Sequence, residues 1–206
     1  MNLEPEEKQL NYYKKTANDY ERTHVKEDSP RSEACRLISL LCNDLEVSSI
    51  LDTGCGTGIF TSALQKNFPN AKVIGNDPSK DLLKIAEEKN KIPKHNLYCC
   101  SSYSLPFENE SFDVVTEFGM LHHVEKPERV VMEMLRVARK AVFISDSNRF
   151  GQGKMPIRLT KLILYNLGLW WPLRKLANGG KKWSYSEGDG IYYSYSVFDN
   201  LGLVQS

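Results

Sequence analysis

Three glycines alternate in the stretch ILDTGCGTGIF at residues 50–60, and Asp52 stands just before the first of them. Glycine at this density weakens strands and helices, so the bare backbone must serve another purpose. The stretch lies between an apolar run and a helical pattern, a context in which backbone N–H groups face a ligand. The G-x-G-x-x-G pattern of nicotinamide-binding proteins requires a third glycine where this chain has Ile59. The spacing therefore predicts a ligand-binding loop and disfavours a nicotinamide oxidoreductase.

Three further side chains are suited to chemistry. Asp77 ends a second apolar run, and a carboxylate there can accept hydrogen bonds from two neighbouring hydroxyls at once. His122 and His123 follow another apolar run, and a histidine can take up a proton near neutral pH. We predict these two histidines as the catalytic bases if the reaction removes a proton. The alternative is that they pack or cap locally.

The five cysteines carry no sign of a metal site or of a disulfide framework. They are odd in number, contain no C-x-x-C pair and are typical of reduced intracellular thiols. Two of them are adjacent on a predicted strand, so their side chains would point to opposite faces. We therefore predict no metal site and assign the cysteines small packing roles. The cysteines are Cys35, Cys42, Cys55, Cys99 and Cys100.

Strand-like and helix-like patterns alternate after a predicted amphipathic helix at residues 31–46. This alternation predicts an α/β fold with a doubly wound, mostly parallel sheet, whose ligands bind at the carboxyl ends of the strands. The predicted strands are SSILDTG, AKVIGND, NLYCCSS, FDVVTEFG and AVFISDS. The expected apolar face of the first helix consists of Ala34, Leu37, Ile38, Leu41 and Leu45.

Composition predicts one ordinary globular domain. The chain has 206 residues, of which 41% are hydrophobic and 26% charged, and its net charge is +1. This balance gives no reason to expect nucleic acid as a partner. The most apolar run, residues 162–171, has about half the length of a membrane-spanning helix, so no transmembrane segment is predicted. The polar start of the chain does not resemble a signal peptide, and we expect a cytoplasmic protein.

Four segments, taken in order, resemble the class I S-adenosylmethionine-dependent methyltransferases, in particular the methyltransferase type 11 group. They are the glycine loop, VIGNDPS, YSLPFENESFDVV and EFGMLHHVEKPERVVMEMLRVAR. The resemblance implies a Rossmann-like methyltransferase fold with strand order 3-2-1-4-5. It also implies methyl transfer as the activity, with S-adenosylmethionine as the cofactor and S-adenosylhomocysteine as its product.

The resemblance further implies a set of cofactor contacts. Asp52 would fix the loop and help to receive the cofactor's ammonium group, while Asp77 would bind the ribose hydroxyls. Ser101 stands where the family has an acid at the adenine edge, so that contact would lack a charge. Glu117 would offer a backbone carbonyl to the ammonium, and Tyr20 would close over the cofactor. The predicted cofactor residues are Asp52, Gly54, Cys55, Gly56, Gly58, Asp77, Pro78, Ser101, Ser102, Glu117 and Tyr20.

Residues 147–186, which we name the basic segment, depart from the alternation of strands and helices. The segment contains eight lysines or arginines, all three tryptophans and no acidic residue. We expect either a lid that favours an anionic or membrane-associated acceptor, or a cap whose lysines are simply solvated. The family's last two strands have little chain left to form them. Either the chain is truncated, or residues 190–198 supply an edge strand beside the fifth strand.

We therefore predict a single methyltransferase domain over residues 1–206. It comprises a helical cap at 1–46, a cofactor-binding core at 47–146, and a cap or lid with the C-terminal segment at 147–206. The predicted acceptor is a small molecule or a lipid-like molecule. The alternatives are an RNA or protein methyltransferase, and a catalytically inactive partner protein that binds the cofactor.

Overall fold

The computed structural model describes residues 4–24, 29–42, 44–151 and 154–204. Parts of the predicted domain, including residue 43 of the first amphipathic helix and residues 152–153 of the basic segment, lie outside the described residues. The helices are α1 (Pro5–Thr16), α2 (Tyr20–His24), α3 (Pro30–Leu41), α4 (Ile59–Asn67), α5 (Lys80–Glu88), α6 (Pro127–Val137), α7 (Met155–Asn166), α8 (Trp170–Ala177) and α9 (Leu201–Val204). The strands are β1 (Ser49–Thr53), β2 (Lys72–Asn76), β3 (Leu97–Tyr98), β4 (Phe112–Phe118), β5 (Ala138–Ser145), β6 (Trp183–Ser186) and β7 (Gly190–Tyr193).

Within the described residues, five parallel strands form the central sheet in the order β3-β2-β1-β4-β5. β1 pairs with β2 on one side and with β4 on the other, and β4 pairs with β5. β4 is buried along its whole length, as expected of a strand with both faces of the sheet covered. The predicted α/β fold and strand order are therefore confirmed.

Alternate residues of the strands fill two apolar cores, one on each face of the sheet. Leu51 of β1 and Val115 of β4 belong to one core, together with Met134 of α6. Their neighbours Ile50 and Val114 belong to the other core, which packs against α3 and α4. Because successive side chains on a strand point to opposite faces, this alternation fixes the register of β1 against β4. It thereby places the loops that follow both strands side by side.

The first amphipathic helix buries only part of the row of side chains that was expected. Cys35 and Ile38 are buried on α3, whereas Leu37 is 49% exposed and Leu41 is 67% exposed. The expected apolar face is therefore wrong at these two leucines. The physical reason is that a buried cysteine packs as a small hydrophobic side chain, and the expected face had left Cys35 out. The expected face is also wrong at Leu45, which is 38% exposed and lies beyond α3, because the helix predicted to reach residue 46 ends at Leu41.

The third strand is shorter than predicted. β3 covers only Leu97 and Tyr98, which pair with the end of β2. Cys99 and Cys100 follow the strand, and Cys99 is exposed. The expectation that the two thiols point to opposite faces of a strand therefore does not apply to them.

β6 and β7 form a separate antiparallel hairpin, in which Trp183 pairs with Tyr193. The prediction that residues 190–198 form an edge strand beside β5 is therefore wrong. The reason is that β7 makes its backbone hydrogen bonds with the strand that just precedes it in the chain. An isolated antiparallel bridge joins Ser196 to Asn148, just after β5.

Helices α7 and α8 of the basic segment lie at the surface. In the part of the chain that the structure describes, neither helix has a buried residue. Large apolar side chains point into solvent instead, and Met155, Ile163 and Leu176 are 65%, 58% and 79% exposed. Among the described residues, no helix is long and apolar enough to span a bilayer.

Candidate active site

The glycine loop connects β1 to α4 at the carboxyl edge of the sheet. Gly54, Gly56 and Gly58 have φ values of +66°, +53° and +75°, in the left-handed region that favours glycine. A Cβ atom on Gly56 would meet its nearest non-adjacent atom only at 3.9 Å. The loop thus leaves open space above Gly56, which suits the close approach of a ligand to the backbone.

Asp52 is the buried acid at the start of the loop. Its carboxylate accepts hydrogen bonds from the Thr61 hydroxyl at 2.6 Å and from the Thr116 hydroxyl at 3.2 Å. Burial raises the pKa of Asp52 to about 7, although these two bonds act in the opposite direction. The side chain ties β1 to α4 and β4, and it also lines the space above the glycines. Its contact with an ammonium group stays a prediction.

Asp77 follows β2 and joins the loop to the next helix. One carboxylate oxygen accepts a hydrogen bond from Gly56 N–H at 3.0 Å, and the other accepts one from Ser79 N–H at 2.8 Å. Burial raises the pKa of Asp77 to about 6, while the two N–H groups lower it. Because a carboxylate oxygen has two lone pairs, both oxygens can still accept a bond from a ligand.

Two adjoining cavities lie along this edge, and together they form one groove. The loop cavity, of about 50 Å³, lies above the glycines, and the serine cavity, of about 140 Å³, lies beside β3. The predicted residues that line the loop cavity are Tyr20, Asp52, Gly54, Cys55, Gly56 and Asp77. Those that line the serine cavity are Asp77, Pro78, Ser101 and Ser102. The side chains that line both cavities are Tyr13, Asp77, Met120 and His123.

Gly58 and Glu117 are the two predicted cofactor residues that line neither cavity. A Cβ atom on Gly58 would lie 2.8 Å from Ala86, so this glycine allows α4 to pack closely against α5. Glu117 is fully buried, and its carboxylate accepts hydrogen bonds from the N–H groups of Met120 and Leu121. The contacts of both residues with a cofactor stay predictions.

His122 lies in a short turn directly after β4. Its Nδ1 atom is 2.6 Å from a carboxylate oxygen of Asp146, and its Nε2 atom is 3.4 Å from one of Asp189. Burial opposes the charged imidazolium, but the interactions with Asp146 and Asp189 outweigh it and raise the pKa of His122 to about 9. His122 therefore holds a second proton at neutral pH, which disfavours it as a base.

The surroundings of His123 favour the neutral imidazole, in contrast to those of His122. Its Nδ1 atom is 2.6 Å from the carbonyl oxygen of Ile191, and its Nε2 atom is 3.6 Å from the other carboxylate oxygen of Asp189. Burial, and then the charge of His122, lower the pKa of His123 to about 4. His123 is therefore neutral at neutral pH. Its catalytic role stays a prediction, as does that of His122.

A third cavity, which we name the basic cavity, lies on the other side of the histidine pair. It has a volume of about 310 Å³, and His122 and Asp189 form part of its wall. Arg31 lines both the basic cavity and the loop cavity, so the two cavities meet beside the histidines. The other cationic and aromatic residues of the wall are Arg149, Lys161, Trp170, Arg174, Tyr192, Tyr193 and Tyr195.

Several residues of this region were not predicted from the sequence. Tyr13 packs against Tyr20 with ring centroids 5.8 Å apart, and the aromatic spacing of the first helix was a usable signal for it. Asp146 follows β5 at the carboxyl edge, and an acid at the end of a predicted strand was a signal too. Gln9 and Asp189 gave no local signal, because they reach the site only through the packing of α1 on the β6–β7 hairpin.

The fold and the groove define the class of protein. A parallel sheet of order 3-2-1-4-5, a glycine loop after β1 and an acid after β2 are the features of a class I S-adenosylmethionine-dependent methyltransferase domain. Residues 51–144 match a family model described as a methyltransferase domain. This part of the chain belongs to that family, the methyltransferase type 11 group.

Relatives and solved structures agree with this assignment. An uncharacterised methyltransferase of Schizosaccharomyces pombe is 36% identical over 104 residues, which are 46% of this chain and 37% of that protein. A phosphatidylethanolamine N-methyltransferase of Cereibacter sphaeroides is 34% identical over 112 residues, 52% of this chain and 54% of that protein. This chain therefore spans only about a third to a half of these relatives.

The fold also matches a solved structure, the plantazolicin methyltransferase BpumL in complex with a triazolic analogue and S-adenosylhomocysteine. The alignment covers 98% of this chain and 87% of that one, with a TM-score of 0.56 and 18% sequence identity. At this identity the similarity indicates a common fold.

Proposed function

We propose that this protein transfers a methyl group from S-adenosylmethionine to a small-molecule or lipid-like acceptor. The observation that carries the proposal is the groove formed by the loop cavity and the serine cavity, because its two parts suit the two ends of the cofactor. The loop cavity offers bare backbone and the Asp52 carboxylate, which suit an ammonium-bearing amino-acid end. The serine cavity offers Asp77 and Pro78, which suit a ribose and an adenine ring.

The volume of the groove is smaller than that of most ligand pockets. Its two parts measure about 140 and 50 Å³, whereas small-molecule pockets are typically about 300 Å³ or more. Met120 lines both parts, and methionine has three rotatable bonds. We therefore expect the Met120 side chain to move when the cofactor enters.

The bound cofactor would supply an electrophilic methyl group on a sulfonium. The remaining tasks of the chain are to align the acceptor with that methyl group and to exclude water. His123 lines the groove and His122 lines the basic cavity, so the histidine pair stands at the boundary between them. We place the acceptor in the basic cavity, with its reacting atom at this boundary.

Calorimetric titration tests the proposal. We expect S-adenosylmethionine and S-adenosylhomocysteine each to bind with one molecule per chain. A folded sample that binds neither compound would contradict the proposal. Binding of both compounds, without methylation of any small molecule, lipid, RNA or protein in a cell extract, would favour the inactive partner protein instead.

Arg174 supports an anionic acceptor in the basic cavity. Its guanidinium lies 6.0 Å from the ring of Trp170 and 5.9 Å from that of Tyr192. Among the described residues, its Nε atom is buried without a hydrogen-bond partner, and it takes part in none of the ion pairs found there. Burial lowers the pKa of Arg174. A carboxylate or phosphate of the acceptor would supply the missing charge and acceptor atoms.

The substitution Arg174→Gln is expected to raise the KM for anionic acceptors about tenfold, because one charge-assisted hydrogen bond is lost. The KM values are measured from the transfer of the tritiated methyl group of S-adenosylmethionine. The probe acceptors are hydroxybenzoic acids and their methyl esters. The preference for acids over esters should disappear in the variant. Lys66→Gln, on the exposed side of α4, is the matched control. An unchanged preference for the acid in Arg174→Gln would contradict an anionic acceptor site.

The basic segment also supports contact with an anionic lipid surface. Exposed apolar side chains on α7 and α8 lie among lysines and arginines, without any acidic residue. We expect the protein to sediment with phosphatidylglycerol vesicles but not with phosphatidylcholine vesicles. Ile163→Glu should weaken this binding several-fold, whereas Leu40→Glu, at a more exposed position on α3, should not. Equal sedimentation with both lipids would argue against the contact.

A further inference from the structure

We propose that His122, His123 and Asp189 bind a divalent transition-metal ion at the boundary between the groove and the basic cavity. Each residue offers one ligand atom, and these atoms all lie within 4.8 Å of one another. Binding of the ion does not depend on the proposed methyl transfer. The part that the ion would play in catalysis does rest on it.

The distances between the ligand atoms suit an ion better than direct hydrogen bonds. The Nε2 atoms of His122 and His123 lie 3.4 and 3.6 Å from the two carboxylate oxygens of Asp189. Hydrogen bonds between nitrogen and oxygen usually measure about 2.7–3.2 Å. Neighbouring ligands in a tetrahedral site with bonds of about 2.1 Å are roughly 3.4 Å apart. The three ligand atoms lie within 4.8 Å of one another, so side-chain rotations would have to bring them closer to reach bonding distance.

Both imidazoles are oriented by the kind of partner that orients metal-bound histidines. Nδ1 of His122 faces a carboxylate oxygen of Asp146 at 2.6 Å, and Nδ1 of His123 faces the carbonyl oxygen of Ile191 at 2.6 Å. These oxygens can only accept, so both Nδ1 atoms donate. Each ring then presents its Nε2 atom to Asp189. Metal-ligating histidines typically donate their other ring N–H to a carboxylate or a backbone carbonyl in this way.

The backbone of Asp189 is held in place by a buried side chain of α1. Gln9 accepts a hydrogen bond from Ile191 N–H at 2.6 Å and donates one to the carbonyl oxygen of Asp189 at 3.3 Å. Gly190 between them has φ +74°, and a Cβ atom there would lie 2.3 Å from the Gln9 side chain. The turn of the hairpin is therefore fixed against α1, which keeps the third ligand beside the histidines.

The donor set indicates the class of ion. Binding of the ion would displace the Nε2 proton that His122 carries at neutral pH. Two neutral imidazoles and one carboxylate then suit Zn²⁺, Fe²⁺ or Co²⁺, and they leave coordination positions open. His123 lines the groove, while His122 and Asp189 line the basic cavity, so an acceptor in the basic cavity could reach the ion.

An acceptor hydroxyl bound to the ion would lose its proton to water more easily, because the cation lowers its pKa. The acceptor oxygen would then form a bond to the methyl carbon as the carbon–sulfur bond breaks, and the electron pair of that bond would stay on sulfur. With the ion bound, neither histidine would need to act as a base.

Cobalt binding tests the proposal. The full chain, without an affinity tag and treated with a chelator, is titrated with Co²⁺. We expect visible absorption bands that saturate at one ion per chain and disappear when Zn²⁺ is added. Asp189→Asn should weaken Co²⁺ binding at least about tenfold. Removing a residue that only orients a metal ligand already lowers metal affinity by about this factor, and removing a ligand should lower it at least as much. Glu187→Gln, on the same hairpin and exposed, is the matched control and should bind as the unmodified protein does.

Each outcome supports or overturns the ion site. Folding of each variant is checked by circular dichroism, and S-adenosylhomocysteine is titrated into the same samples. If the folded protein shows no visible bands and no Zn²⁺-dependent rise in Tm, the ion site is overturned. The contact between His122 and Asp189 then contains a proton instead of an ion. Co²⁺ binding without cofactor binding would instead contradict only the proposed methyl transfer. Equal Co²⁺ affinity in Asp189→Asn would also overturn the site.

Discussion

Asp77→Asn is expected to weaken the binding of S-adenosylhomocysteine about 100-fold. The carboxylate would accept hydrogen bonds from both ribose hydroxyls while it accepts those from Gly56 and Ser79. An amide has one acceptor oxygen and no charge, so it cannot serve all four donors. Loss of two charge-assisted bonds at about 1.5 kcal/mol each accounts for this factor. Isothermal titration calorimetry measures the change in affinity. The pH of the measurement should lie well above the pKa of Asp77, which burial raises to about 6, so that the carboxylate is ionised.

A cycle that combines the Asp77→Asn substitution with a change in the ligand separates the loss of ribose binding from a distortion of the loop. S-adenosylhomocysteine with a 2′,3′-dideoxyribose should bind weakly to the unmodified protein, and Asp77→Asn should weaken it little further. Asp81→Asn, at an exposed position in the first turn of α5, is the matched control. If Asp77→Asn binds the normal compound within a factor of three of the unmodified protein, Asp77 does not hold the ribose. If the variant loses affinity equally for both compounds, its effect comes from the loop.

The glycine loop and the acids that end β1 and β2 were predictable because each of them is a local feature of the chain. Gly54 and Gly56 lie within a few residues of the strand that places them, and the parallel sheet brings Asp52 and Asp77 to the same edge. Such placement depends only on strand order and on the direction of the strands. For this reason the fold and the glycine-loop side of the groove follow from sequence patterns, whereas Tyr13 and Met120, which line both of its cavities, were not predicted.

The histidine cluster could not be predicted in the same way. Asp189 lies in the turn of a local hairpin, and the bond from Gln9 to its backbone joins residues 180 positions apart. No periodicity or spacing in the chain encodes that contact, because it arises from the packing of α1 against β7. The sequence thus indicates the side of the site that would bind the cofactor more fully than the side that would bind the acceptor.

The second large effect is expected from Arg149, which joins the basic segment to the C-terminal part of the chain. Its side chain is only 3% exposed, and its guanidinium pairs with both carboxylate oxygens of Asp199. It also donates to the carbonyl oxygen of Ser194 at 2.8 Å. The rings of Tyr165 on α7 and Trp171 on α8 each lie 5.2 Å from the guanidinium. One buried cation therefore holds together elements that share little apolar core.

Arg149→Met is expected to lower the free energy of unfolding by about 3 kcal/mol, measured by urea denaturation. Breaking a buried ion pair costs about 3–5 kcal/mol, and the lower end applies because the Asp199 side chain is 33% exposed and can be rehydrated. Arg158→Met, at an exposed position of α7, should cost less than about 1 kcal/mol. Combining Arg149→Met with Asp199→Leu should recover part of the loss, because no unpaired carboxylate remains. A loss below 1 kcal/mol in Arg149→Met would mean that the aromatic packing alone holds α7 and α8 in place.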